Sequence, residues 1–405
     1  MTRAAHFALG FAVSAAYLPW LPQSSAELRW VLAALLLPLC LWRAPLRFNA
    51  MPHAALAALL LWALCTSLWS AAPFDAGWRA LCLLTMALAY WLGSVTHHGR
   101  ALYAGLCTGV AVSSLLVIPQ LLGWSAIPQW AAPAGLFFNR NFLAELAVPL
   151  FLLALLRLWF WSALALLPSV ALTQSRGALV ALATGLVYCR FGPRWSAAVF
   201  VVGCVAVVAT GAWHDGGGAS LLHRINLWHD TLAAWSWLGH GLGSFPSLYP
   251  AFTQWDDTLA LRSDHAHSDL FEALFETGVV GAGLFVAAAC MLLPERDRTP
   301  EGAALVAAGV LALVAFPSYL PGTGILFAFL AGRVAGGSHP LGDGYDEWRA
   351  YLVLRQVYAN HGGVGGPRIP GGGSEPAVVQ AAALGRLCLL EPAAHAGAKP
   401  RGGVP

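Results

Sequence analysis

Four polar segments interrupt an otherwise apolar chain, and they hold the residues whose types and spacing could do chemistry. They are GLFFNRNFLAE at 135–145, TQSRGA at 173–178, RINLW at 224–228 followed by GHGLGSF at 239–245, and DHAHSDLFEALFETG at 264–278. Polar groups beside lipid are costly, so those that persist are functional candidates. Arg176 lies between two apolar runs and Arg224 follows a loop. A guanidinium near a low-dielectric surface favours a planar, doubly charged oxyanion, and phosphate or pyrophosphate fits that demand. Arg262 and Arg140 fit better as side chains that snorkel to headgroups or pair with Glu145 or an Asp of the loop.

His267 is expected to open a helix running through Leu270, Leu274 and Gly278, where the positive end of the helix dipole disfavours an imidazolium. A neutral imidazole there can act as a base. On a 3.6-residue period Asp269, Glu272 and Glu276 fall on the opposite face from His267, so Asp264, Asp256 or Asp257 are the better orienting partners. A structural histidine ranks second for His267. A metal ligand ranks third, since the His-x-His of D264-H-A-H-S-D269 is a short signal. For His265 a structural role ranks first. Gly239, Gly241 and Gly243 lack both a preceding strand and a following Lys, so they shape a turn rather than a nucleotide cradle. Gly278, Gly281 and Gly283 have a spacing that permits close helix packing.

The elements that must position these residues are membrane helices. The 405 residues are 58% hydrophobic and only 10% charged, with a mean hydropathy of +0.66. Globular chains carry about 25% charged residues, so a soluble enzyme, a disulfide scaffold and a collagenous chain are all excluded. Among 22 basic residues only Lys399 is a lysine and no polybasic run occurs, which argues against nucleic-acid partners. The eight cysteines form no CxxC and read as small buried hydrophobes.

Twelve candidate spans lie near 7–22, 29–43, 53–70, 76–94, 101–123, 141–157, 159–173, 177–190, 196–212, 268–293, 302–316 and 322–336. Several are short, so the expected fold is an all-α integral membrane bundle of about 12 (10–12) transmembrane helices. Arginine placement puts the N-terminus in the cytoplasm, with Arg29 and Arg79 at outer span edges and Arg140, Arg176, Arg224 and Arg262 also outside. The long outer connection, 213–267, holds six of the thirteen histidines. Within it Leu221, Ile225, Trp228, Leu232 and Trp235 form a helical stripe opposite His223, Asn226 and Asp230. That pattern suits a short amphipathic helix on the membrane surface, or equally one packed on the bundle. Three regions result: helices at 1–134, a catalytic membrane region at 135–336, and a Gly- and Pro-rich flexible cytoplasmic tail at 337–405 with possible short helices at 346–358 and 376–390.

In order and spacing the polar segments resemble the O-antigen ligase and polymerase superfamily of bacterial inner-membrane glycan transferases. The resemblance spans 135 to about 285 and rests on GLFFNRNFLAE, SRGA at 175–178, Arg224 and Trp228 followed by GHGLGSF and Tyr249-Pro250, and HSDLFEALFETG at 267–278. Ser268 departs from the Asn often found after this histidine, and the tail is longer than expected. The resemblance implies an undecaprenyl-pyrophosphate-linked glycan as donor and neither metal nor other cofactor. Lipid A core or a second lipid-linked glycan would be the acceptor, with membrane lipids around the site. It implies a multi-pass protein of the inner membrane with cytoplasmic termini and a periplasmic active site. Arg176 and Arg224 would grip the pyrophosphate, and His267 would prepare the acceptor hydroxyl for inverting attack. Asn139, Arg140, Asn141, Arg262, Trp228 and His265 would line the substrate site. A ligase, a polymerase and a lipid-glycan transporter are the functional alternatives. Transporters place their sites near the midplane in paired repeats, and neither feature is visible here.

Overall fold

The computed structural model describes residues 2–17, 25–42, 50–124, 127–129, 131–211, 217–253, 263–292 and 298–336. The expected tail and its two short helices lie outside the described residues, as do Arg262, Asp256 and Asp257. The described residues form helices α1 (Thr2–Ala15), α2 (Ser25–Leu41), α3 (Ala50–Thr66), α4 (Pro73–Val95), α5 (Gly99–Leu121), α6 (Arg140–Leu156) and α7 (Phe160–Ala171). They continue with α8 (Arg176–Phe191), α9 (Pro193–Gly211), α10 (Gly217–Ala233), α11 (Phe245–Leu248), α12 (Asp269–Leu292), α13 (Pro300–Val314) and α14 (Pro321–Ala335). Among these residues there is no strand, only an isolated bridge between Ala131 and Asn139.

Lipid cannot satisfy backbone amides, so apolar runs of this length must close their hydrogen bonds within themselves. Pro52–Trp69, Pro73–Val95, Gly99–Leu121, Pro193–Thr210 and Asp269–Leu292 are long and apolar enough to cross a membrane, and Phe160–Ala171, Pro300–Val314 and Pro321–Ala335 are shorter apolar helices. The chain is therefore an α-helical, multi-pass membrane protein. A count of twelve full spans is not supported. Several apolar runs are punctuated early: α6 has 17 residues and α8 has 16, against about 20 for a spanning helix. In α8, Arg176 opens the helix and Gly192 ends it at φ +90° before Pro193.

The buried centre is α6, α13 and α14, while the spans at 52–69 and 193–210 are only 11% and 6% buried. α4 packs along α14 and α3 along α12. Gly93 and Gly332 allow the first of these contacts, because a Cβ at either would lie 2.2 or 2.0 Å from a carbonyl oxygen of the facing helix.

α12 is broken at Gly278, at φ +71°. The small-residue reading of Gly278 is corrected by this: its role is conformational, since the left-handed region is closed to most side chains. The break is filled by the 236–241 loop. His240 N donates to Phe275 O (2.9 Å), Gly241 N to Glu276 O (2.9 Å), and Val279 N to Ser236 O (3.0 Å). Irregular backbone within a membrane bundle is tolerated where protein supplies such partners. Gly239, Gly241 and Gly243 all have positive φ, and a Cβ at Gly239 would sit 2.2 Å from Glu276 O. The GHGLGS segment is thus a backbone plug, in line with the turn read from its glycines.

α10 is the expected amphipathic helix, turned with its apolar stripe outward. Ile225, Leu232 and Trp235 are exposed, whereas Leu227, Asp230 and Thr231 are buried. Asp230 accepts from Tyr249 Oη at 3.1 Å. Trp228 leaves the stripe and turns inward, stacking on Phe271 at 5.5 Å.

Candidate active site

A cavity of about 1070 Å³ lies where α2, the 136–142 segment, α4, α10, the 263–267 loop and the start of α14 meet. His267, Arg224, His223, His265, Asn139 and Asn141 line it, together with Arg29 and Arg79. Aromatic walls come from Trp30, Trp78, Phe137, Phe142, Phe316 and Tyr319, and the carboxylates of Glu27, Asp75 and Asp264 also face it.

His267 does not open α12, as its sequence position suggested; the helix begins at Asp269. His267 sits in the preceding loop at φ +51°, a left-handed backbone that costs a non-glycine residue about 1–2 kcal/mol. That conformation is held from several sides. Trp228 Nε1 donates to Ala266 O (2.9 Å), Ala266 N donates to Glu272 Oε2 (3.1 Å), and His265 Nδ1 meets Glu272 Oε1 (3.0 Å). Asp269 N donates to Ala315 O at 3.1 Å, tying the helix start to the end of α13. Glu272 indeed does not reach His267 along a helical face. It reaches back to the loop that carries it, an arrangement hidden as long as the helix is taken to open at His267.

The His267 ring lies 5.1 Å from Phe316 and 6.4 Å from His223. Burial first, and then Arg224, His265 and His223, push its pKa down to about 3. Burial and the Arg224 guanidinium thus favour the neutral imidazole, where the sequence had offered the helix dipole as the cause.

Arg224 Nη1 donates to Val314 O at 2.8 Å. Burial lowers the pKa of this guanidinium, and the Glu145 carboxylate opposes the shift. Glu145 is itself buried beneath the site with Oε2 unpartnered. Arg29 donates to Ala16 O and Leu136 O and lies 4.5 Å over Phe137. Arg79 donates through Nη1 and Nη2 to Ser318 O (2.8 Å) and Oγ (2.7 Å), and lies 3.4 Å over the Tyr319 ring. Ser318 passes the connection on, its Oγ donating to Asp269 Oδ1 at 2.8 Å. Tyr319 Oη donates to Glu276 Oε2 at 3.2 Å.

The sequence-derived residues therefore divide. His267, Arg224, His265, Asn139 and Asn141 converge on the cavity. Asn139 also caps α6, its Oδ1 accepting from Asn141 N at 2.9 Å. Trp228 is not in the lining and holds the His267 loop instead. Arg140, the first residue of α6, and Arg176, the first of α8, are also outside the lining. Arg176 is nonetheless adjacent: a Cβ at the next residue, Gly177, would meet Val314 at 3.4 Å, and Val314 is the residue whose carbonyl holds Arg224. Sequence reasoning passed over Arg29 and Arg79 as span edges and missed the 314–319 platform altogether. The polar FPSYLPG interruption at 316–322 between two apolar runs was its only signal. Among the described residues no group of three or more His, Cys, Asp or Glu side chains is gathered for a metal ion.

No curated protein matches the chain. Residues 161–286 match the family model described as O-antigen ligase. The matched segment runs from α7 into α12 and carries Arg176, Arg224 and His267, whereas Asn139, Asn141, Arg29, Arg79 and the 314–319 platform lie outside it. Over this segment the chain is similar to the O-antigen ligase family.

Proposed function

We propose that this protein is a glycosyltransferase that moves a glycan from an undecaprenyl-pyrophosphate-linked donor to an acceptor hydroxyl at the periplasmic face of the inner membrane. In this reading it acts as a ligase on lipid A core. The observation that carries the proposal is the shared cavity of Arg224 and His267, open enough for sugars and walled by aromatic and polar side chains. Arg29, Arg79 and Arg224 line this one cavity with His267, which supports a transferase reading over a transporter.

In the proposed reaction the acceptor oxygen forms a bond to the anomeric carbon as the bond from that carbon to the pyrophosphate oxygen breaks. The incoming oxygen arrives opposite the leaving group, with inversion. Arg224, with Arg176 from the start of α8, neutralises the charge growing on the pyrophosphate; preorganised cations of this kind contribute about 10²–10³-fold. The His267 imidazole accepts the hydroxyl proton and later releases it to solvent, contributing about 10²–10⁴-fold. A histidine with a pKa near 3 is a weak base in the empty site. The dianionic pyrophosphate brings negative charge beside Arg224 and His267, and so raises the basicity of the imidazole when the donor is bound.

The test uses purified protein with an undecaprenyl-pyrophosphate glycan, and lipid A core or no added acceptor in parallel. Product on the core supports the ligase. Longer lipid-linked chains instead identify a polymerase with the same chemistry. Arg224→Ala, Arg176→Ala and His267→Ala are each expected to abolish transfer in protein that still inserts; full activity in any of them removes that residue's role.

A further inference from the structure

A second cavity, of about 840 Å³, adjoins the first and shares Arg79, Glu276 and Tyr319 with it. Its walls are otherwise mainly leucine, alanine and other apolar side chains of α3, α4, α12 and α14. Along α4 it extends from Arg79 to Ser94, about 22 Å of helix at 1.5 Å per residue, more than one leaflet of a ~30 Å hydrocarbon core. It opens sideways, because α3 packs on α12 and only lightly on α4, and Leu84 on its wall is 46% exposed. A long apolar groove with a polar end of Arg79, Asp269, Glu276 and Ser318 matches an amphiphile with a hydrocarbon chain and a polar head.

The position of the groove identifies which amphiphile. Rings in contact lead from its polar mouth to the base: Arg79 over Tyr319, Tyr319 against His265 (4.4 Å), His265 on Phe316 (4.3 Å), and Phe316 against His267 (5.1 Å). Arg224, which takes the leaving pyrophosphate in the proposed reaction, is anchored to Val314 and has no part in the groove wall. The donor head and the groove mouth therefore flank the base through different elements, and the hydroxyl must enter opposite the leaving group. Arg79 is 8% exposed and lines both cavities, its Nη atoms held by Ser318 at the point where the groove meets the site. Resting on the ligase reading above, we propose that the groove holds an acyl chain of the lipid A core acceptor and that Arg79 meets that acceptor's headgroup.

Photo-crosslinking on the wild-type protein in nanodiscs tests this with two probes, lipid A core bearing a diazirine in an acyl chain and the undecaprenyl-pyrophosphate glycan bearing one in its prenyl chain. The acyl probe is expected to label Leu60, Leu84 or Leu88, and the prenyl probe to label other helices. Leu84→Trp should raise KM for lipid A core about tenfold while leaving KM for the donor, and transfer to core oligosaccharide freed of its acyl chains, unchanged. Prenyl labelling of the groove, no acyl labelling there, or equal effects of Leu84→Trp on both acceptors overturns this inference while transfer to the core still stands. A wild-type protein that transfers nothing to lipid A core overturns the ligase reading and this inference together.

Discussion

Glu272→Ala is the most informative single substitution, because Glu272 does not touch His267 and yet holds the loop that carries it. Its carboxylate, 1% exposed, accepts from Ala266 N at 3.1 Å and meets His265 Nδ1 at 3.0 Å. Truncation leaves a buried backbone donor unpaired, which costs about 1–3 kcal/mol, and removes a partner of the half-buried His265 ring, a net loss of about 0.5–1.5 kcal/mol. The loop meanwhile carries about 1–2 kcal/mol of strain from the left-handed backbone of His267. A total of about 2–4 kcal/mol exceeds that strain, so the loop relaxes and the competent conformation becomes a minor state. At 1.4 kcal/mol per factor of ten, kcat/KM for glycan transfer should fall between about thirtyfold and several hundredfold. Glu272→Gln keeps an acceptor for Ala266 N and loses only the charged partner of His265, so it should fall about five- to tenfold. Transfer kinetics in nanodiscs, with thermal melting to verify folding, measure both. A folded Glu272→Ala protein within threefold of wild type would show that the loop is held without this carboxylate.

Trp228→Phe keeps the stacking on Phe271 but loses the bond to Ala266 O; kcat should fall about five- to tenfold with donor KM unchanged, whereas a substrate-binding indole would raise KM. With the His267 pKa near 3 when folded and about 6.5 when unfolded, the unfolded chain binds more protons between those values. Stability should therefore rise with pH across that window and level off above it, and melting curves from pH 4 to 8 should show a shallower slope for His267→Gln. For the same reason the acid limb of kcat/KM, which reports the free enzyme, should fall below pH 5 rather than near 6.5. Gly239→Ala brings a Cβ to 2.2 Å from Glu276 O at φ +76° and should lower the melting temperature and reduce expression in the membrane. A wild-type melting curve for this variant would show that the plug in the α12 break is dispensable.

The glycine plug gives the helix break a function. α12 delivers Asp269, Glu272 and Glu276 to the site from its first half, and the kink at Gly278 lets its second half run on along α3. The loop that repairs the break also brings Phe245 N to Glu276 Oε1 at 3.3 Å. The same motif therefore sets the direction of the helix and satisfies one of its buried carboxylates.

Composition, 58% hydrophobic and 10% charged, put this chain in a membrane, and its long apolar runs without the alternation of barrel strands left helices as the way to close backbone hydrogen bonds in lipid. Residue type and spacing also reached Arg224, His267 and the two asparagines of the 139–141 segment, since polar groups amid apolar runs stand out without knowledge of any partner. The number of full spans was beyond that reasoning: hydropathy marks apolar runs, but caps and prolines decide where each helix stops. So was the backbone of His267. Periodicity extended α12 two residues too far, because a single left-handed residue leaves no mark in a pattern of side chains. Only the tertiary structure could turn Trp228 from the surface to the loop, set Arg79 and Arg29 in the wall of a cavity, and bring Ser318 and Tyr319 against Arg79. Contacts between segments far apart in the chain, as between Arg79 and Ser318 at a separation of 239 residues, depend on how whole helices pack, and no local window of sequence contains that information.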